Sequence, residues 1–336
     1  MTTLTPNLSW HTDLEAARAA AAALGRPILS LRLLGRLDEE LSCANSRFFK
    51  TTLYPDPAVA RVLREQFVLH WRSVRPVPKV RVDFGDGRVM ERTLTGNSAH
   101  LVLDARGRVV DALPGLYGAK AFLRALAPAA ALARASDGRL AAHHLAAATA
   151  VLAAWLDDLA AVGVRVRERS VAAAEAASTD AAWRAMAERH LDDARLSPVV
   201  AEVVHKLQPD AFRAGAIAMT KKMVEFPLLT KLMPLERSIA EDTLRNERQL
   251  HRRVSERLAA ETCSDEAELT DWVYEQLFLM PLDDPWLGMS SAFAAMPVPA
   301  ADVDAVVHRR HTSSATMSMA PQGHSLAHRP HPLQKS

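Results

Sequence analysis

Strand signals crowd the first 130 or so residues of this chain and vanish from the rest, an asymmetry that limits the folds open to it. Asp13 to Leu24 is Ala-rich and stopped by Gly25 and Pro27, as a helix would be. The apolar run Ile28–Leu34 predicts a buried strand. Asp56-Pro57-Ala58-Val59 predicts a second helix start, with Asp56 as N-cap and Pro57 at the first helical position. Phe67 to Trp71 predicts a strand. Gly85-Asp86-Gly87, between Val80–Phe84 and Arg88–Thr93, predicts a hairpin. Ala105-Arg106-Gly107, between His100–Leu103 and Val109–Leu113, predicts another, and Gly118 to Leu126 a returning helix. That order is an α/β pattern with a mixed sheet.

Beyond residue 130, Ala, Leu, Arg and Glu dominate, a composition suited to helices. Ser197-Pro198 opens one helical segment, and Glu236 to Glu261 carries Ile239, Leu244, Leu250, Val254 and Leu258 at helical spacing. Thr262-Cys263-Ser264-Asp265 resembles a capping box for a helix through Phe278. From Pro297 onward Ala, Pro, Ser and His take over without periodicity. The expected organisation is an α/β domain over 1–130, a helical linker region over 131–195, a helical domain over 196–296 and a disordered tail over 297–336.

Charge excludes little and favours nothing exotic. The net charge of +2 comes from 41 basic and 39 acidic residues, which gives no global field for nucleic acid. Two cysteines, Cys43 and Cys263, argue against a disulfide framework and fit a reducing compartment. The N-terminus lacks the basic and apolar regions of a secretory signal. No run reaches the roughly 18 uninterrupted apolar residues of a spanning helix. The nearest, Ala141–Ala161, is interrupted by His143, His144, Asp157 and Asp158. A cytoplasmic protein without nucleic-acid or membrane partners is expected.

Chemistry concentrates at Cys43, which follows the Ile28–Leu34 strand and precedes a segment able to wind into a helix. A thiol at a helix N-terminus is drawn toward thiolate by unsatisfied amides, and Arg47 and Lys50 lie on the following turns. The alternative is a buried core cysteine. Ser46, one turn on, either bonds the sulfur or is an ordinary first-turn residue. Cys263 lies in a capping sequence and reads as inert.

Gly25-Arg26-Pro27 before Ile28–Leu34, Cys43 before a helix, Asp56-Pro57 leading to Phe67-Val68, Leu101-Val102-Leu103-Asp104 before Gly107–Val110, and Gly115 before the last helix together resemble the thioredoxin-like superfamily. Ser42-Cys43 and the Leu53–Trp71 segment are locally similar to the redox domain of selenoprotein N. The resemblance implies a thioredoxin-like mixed sheet with flanking helices, here followed by an all-α C-terminal domain, and Cys43 as the reactive group. Two departures stand out. The family's Cys-x-x-Cys is Cys43-Ala44-Asn45-Ser46 here, and Thr95-Gly96-Asn97-Ser98-Ala99 stands where the family has a cis-proline beside the cysteine. A selenocysteine would fall at Ala44.

The expected activity is therefore thiol exchange or thiol binding of monothiol type, with Cys43 and Ser46 as its site and no cofactor or metal. Its substrate would be a thiol or disulfide such as glutathione or a protein disulfide. The alternative is a catalytically silent thioredoxin-like scaffold whose helical domain binds a protein partner. A third reading makes Glu247 and His251, at i, i+4 on one helix, metal ligands, although di-metal bundles use Glu-x-x-His on two helices. Five of the 13 histidines fall in the tail, where a solvated tract is the stronger reading. Tyr274, Leu277, Phe278, Leu279, Met280, Pro281, Trp286 and Leu287 form an apolar block that reads as a docking segment, with a partner-binding patch as the alternative.

Overall fold

Capping chemistry sets the first helix. In the computed structural model, which describes residues 2–5, 8–39, 42–135, 139–207, 229–260 and 265–289, helix α1 (Leu14–Leu24) starts at Asp13, whose carboxylate accepts from the Ala16 amide. It ends at Gly25, held at φ 63°, a left-handed conformation that glycine adopts without a Cβ clash. Two short strands precede it, β1 (Thr2–Thr5) and β2 (Leu8–His11), in a stretch where the sequence signals no strand. Four residues are too few for a periodicity to stand out, although Leu8 and Trp10 do alternate inward.

The strand run forms as expected. β3 (Ile28–Leu34) is buried along its whole length and lies between β4 (Val68–Arg75), parallel to it, and β7 (Ser98–Leu103), antiparallel. Burial on both faces accounts for its nearly unbroken apolar sequence. β8 (Val109–Pro114) pairs with β7, and β2 adds in parallel to the far side of β4. The mixed sheet has the order β1-β2-β4-β3-β7-β8. β5 (Lys79–Asp83) and β6 (Val89–Thr93) form a separate two-stranded sheet between β4 and β7 in the chain.

Helices cover both faces. On one side lie α2 (Ala44–Phe48), which continues as a π-helical turn over Phe49–Leu53, then α3 (Pro57–Gln66) and α4 (Ala119–Arg134). Asp56 caps α3 by accepting from the Ala58 and Val59 amides, and Pro57 opens it. The chain then makes α5 (Leu140–Ala161), α6 (Val171–Ala177), α7 (Asp180–Arg189), α8 (Leu191–Ala194), α9 (Pro198–Leu207) and α10 (Leu229–Arg245). A π-helical turn, Asn246–His251, joins α10 to α11 (Arg252–Ala260), and α12 (Glu266–Trp272) is followed by another over Val273–Leu277.

The C-terminal helices share a core with the sheet. Ile28, Val68, Ala99, Leu101 and Ala112 pack with Ala17 and Ala21 of α1, Val254 and Leu258 of α11, and Leu269, Val273 and Leu277. A second cluster joins Trp155, Ala174, Trp183, Met186 and Leu244 from α5, α6, α7 and α10. Residues Met1–Gly288 form one compact unit. By length and composition α5 is apolar enough to cross a membrane, despite the interruptions noted above; His144, Ala148, Trp155, Leu156 and Leu159 bury its inner face. The tail expected over 297–336, and Cys263, lie outside the described residues.

Candidate functional site

The loop after β3 delivers Cys43 to the start of α2, where it is the N-cap. Its backbone is extended (φ −58°, ψ 160°), and its sulfur takes the place a capping oxygen would have, accepting from the Ser46 amide at 3.4 Å. The Ser98 hydroxyl, at the start of β7, lies 3.3 Å from the same sulfur. Ser46 thus meets Cys43 through its backbone. Its hydroxyl turns back to the Cys43 carbonyl oxygen at 2.8 Å and to the Ser42 hydroxyl. Of the cations that sequence places nearby, Arg47 is exposed and Lys50 donates to the Glu39 carbonyl.

The sulfur is sealed. Cys43, Ser42, Ser46 and Ser98 have no exposed surface. Gly96 lies against the cysteine so closely that a Cβ there would stand 2.2 Å from the Cys43 Cβ. The Thr95–Asn97 loop therefore lies beside the thiol, where the resemblance places a proline, and only glycine permits the approach. Next comes the apolar block of the C-terminal region. The Tyr274 hydroxyl donates to the Asn97 carbonyl at 2.8 Å, and the Asn97 amide reaches the Met280 sulfur at 3.7 Å. Burial, and then the neighbouring Cys43, push the Tyr274 phenol well above its ordinary range, so it stays a donor.

That covering segment is fastened at both ends. Arg32, 1% exposed in the middle of β3, pairs with Glu266 at the start of α12, and the Arg72 guanidinium sits 3.7 Å from the other carboxylate oxygen. The Arg75 guanidinium donates to the carbonyls of Leu282 (3.0 Å) and Asp284 (2.7 Å). Tyr274, Leu277, Met280 and Leu287 are buried, whereas Leu279 and Trp286 point outward. The apolar block docks, as its composition suggests.

Around the helix side of the site the ring of side chains is neutral. The Tyr54 hydroxyl pairs with His100 Nε2 at 2.7 Å, and Phe49 and Phe122 flank that imidazole. Burial lowers the His100 pKa to about 3 and raises that of Tyr54, the nearby Cys43 adding to the latter. Beside the sealed thiol an open cavity of about 270 Å³ is lined by Asn45, Asn97, Asp242, Asn246, Leu277 and Phe278.

Glu247 and His251 turn to different partners. Glu247 accepts from Arg124 at 2.8 Å, and His251 meets Asp111 at 2.9 Å. Among the described residues no three His, Cys, Asp or Glu side chains gather as a metal site would require. The tail histidines lie outside the described residues. Sequence reasoning singled out Cys43 and Ser46, and through the resemblance set the Thr95–Ala99 stretch beside the cysteine, but it gave Gly96, Asn97 and Ser98 no individual role and missed the Arg32–Glu266 pair. Tyr274 and Met280 had a signal of another kind, as members of the apolar block. No protein-family model and no curated protein sequence matches the chain.

Proposed function

We propose that this protein is a thioredoxin-like scaffold, catalytically silent in its closed form, whose helical part binds a protein partner. The mixed sheet, the strand–loop–Cys–helix unit after β3 and the loop lying beside the cysteine before β7 support the thioredoxin-like reading. The observation that carries silence is the complete burial of the Cys43 sulfur beneath Asn97 and Tyr274. A thiolate must meet a disulfide sulfur to exchange with it, and here Cys43 has no exposed surface. Partner binding is favoured by the groove between α5 and α11, where Leu145 is 64% exposed and, with Ala141, Ala142, Ala259, Ala260 and Glu256, lines a largely apolar cavity of about 340 Å³.

The second reading, monothiol exchange, is favoured by the Ser46 amide that donates to the sulfur and would stabilise a thiolate there. In that reaction the Cys43 thiolate attacks one sulfur of a disulfide, a mixed disulfide forms and the other sulfur leaves as thiolate. Ser46 supplies no second thiol to resolve it.

Incubation with oxidised glutathione, followed by intact mass, separates the two readings. The scaffold reading expects no adduct at Cys43 and no insulin reduction in the presence of a disulfide reductase. A stable adduct at Cys43 in the native protein would replace it with the monothiol reading.

A further inference from the structure

The β5–β6 hairpin stands apart from the rest of the molecule. Among the described residues β5 pairs with β6 alone, and all five of its residues are exposed. An isolated two-stranded ribbon is marginal in water, and its outer edge presents unpaired amides and carbonyls. The hairpin nevertheless carries Val80, Val82, Phe84 and Val89 on its surface, 36% to 54% exposed. We infer that β5 is a dimerisation edge, along which two copies of this chain pair antiparallel about Val82 into a four-stranded sheet.

Register comes first. The Phe84 amide donates to the Arg88 carbonyl, and the Leu94 amide to the Pro78 carbonyl. In an antiparallel ladder such pairs recur every second residue, so the even-numbered residues of β5 turn their backbone groups toward β6. Lys79, Arg81 and Asp83 direct theirs to the open edge. A two-fold partner strand must therefore pair odd residues with odd ones through hydrogen bonds, and even with even between them.

Charge then selects one register. Centred on Val82, Arg81 faces Asp83 of the second copy twice over, Val82 faces Val82, and Val80 faces Phe84. Opposite charges and apolar pairs directly across an antiparallel ladder are each favourable. Centred on Arg81, the register brings Lys79 opposite Asp83 twice but adds Arg81 against Arg81, a like pair that the Val82 register lacks. Centred on Val80 it sets Lys79 against Arg81, and centred on Asp83 it sets Asp83 against itself. The β6 edge offers nothing comparable, because Glu91 or Arg92 meets a like charge in its central registers. Charges on an exposed edge ordinarily block pairing. Here their signs alternate so that a second copy satisfies them. Among the described residues Arg81 forms no ion pair. Asp83 has one oxygen accepting from the Gly85 amide, which leaves the other to a partner.

One five-residue edge buries little area, so the dimer is weak and forms at concentrations of about 100 µM. Sedimentation velocity on the full chain tests it. The wild type should shift from monomer to dimer with concentration, whereas Arg81→Asp and Asp83→Arg, each alone, should weaken association at least tenfold. An equimolar mixture of the two variants should dimerise, because each supplies the charge the other lacks. Asp83→Arg also removes the carboxylate that holds the Gly85 amide, so Arg81→Asp, which leaves the turn intact, decides: Arg81→Lys should associate like the wild type and Arg81→Asp at least tenfold more weakly. A wild type that stays monomeric at about 100 µM overturns the proposal. So do an Arg81→Asp variant that associates like the wild type, or a mixture that stays monomeric although both of its variants melt as the wild type does.

Discussion

The Cys43 pocket and the β5–β6 hairpin are opposite solutions to one problem, polar backbone and reactive side chains near the end of a sheet. At Cys43 most groups are answered: the sulfur by the Ser46 amide and Ser98, the neighbouring loop by Tyr274, and the covering segment by Arg32 and Arg75, while the Arg32 Nη1 and His100 Nδ1 are buried without a hydrogen-bond partner. At the hairpin little is answered, and apolar side chains stand in water beside an open edge. The contrast teaches that the residue richest in chemistry need not be the one a protein offers to others.

The sharpest way to break the closed end is to remove Glu266. Glu266→Ala leaves Arg32 buried without its counter-charge, a loss of about 3–5 kcal/mol, and should lower the melting temperature by about 10 °C. Replacing the pair together, Arg32→Met with Glu266→Leu, should recover most of it by calorimetry, since it is the stranded charge that destabilises. Gly96→Ala comes next, because the new methyl meets the Cys43 Cβ. Overpacking against backbone costs about 3 kcal/mol, and Cys43→Gly in the same chain should relieve part of it. Either variant leaving the melt unchanged would mean that the closed end is loosely held.

Titration of the interior sharpens the comparison, since the hairpin shows no counterpart to it. Burial lowers His100 to about 3 and, with Arg32 adding, His70 to about 4. Below the ordinary value of about 6.5 the unfolded chain takes up protons that these folded histidines refuse, so stability falls toward acid. His190 runs the other way. Its contacts with Asp158, then Asp193, raise it to about 9. Its contribution is complete below about 6.5 and is lost as pH rises from there through about 9. Melting temperature against pH should therefore peak near pH 6.5, and His190→Gln should flatten the alkaline limb. The smallest effect belongs to the open end. Val82→Thr should shift the melt of the monomer by less than about 0.5 kcal/mol, as exposed positions do.

Much of the fold was legible because its signals are local. Asp13 with Gly25, Asp56 with Pro57, and the unbroken apolar run of β3 each state their structure within a dozen residues. The N-terminal strands were not, because β2 is four residues long and owes its place to pairing with β4. At the site, Cys43 as the residue opening a helix was legible, since strand, loop and helix adjoin it in sequence. Its burial was not. The cover comes from Tyr274, and the Arg32–Glu266 fastening joins residues 234 positions apart, so no local pattern announces them. The Thr95–Ala99 stretch was legible as the one beside the cysteine, through the resemblance, but that Gly96 is the residue in close approach only the assembled loop reveals.

The closed end is tested most directly by the alkylation rate of Cys43 in the native protein, followed by peptide mass at neutral pH, for the wild type and for Tyr274→Phe. A sulfur reached only by opening of the covering segment should react at least about a thousandfold more slowly than in the unfolded chain. Loss of the Tyr274–Asn97 hydrogen bond, on the order of 1 kcal/mol, should raise that rate by about tenfold or less. A wild-type Cys43 alkylated as fast as the unfolded thiol would contradict the account.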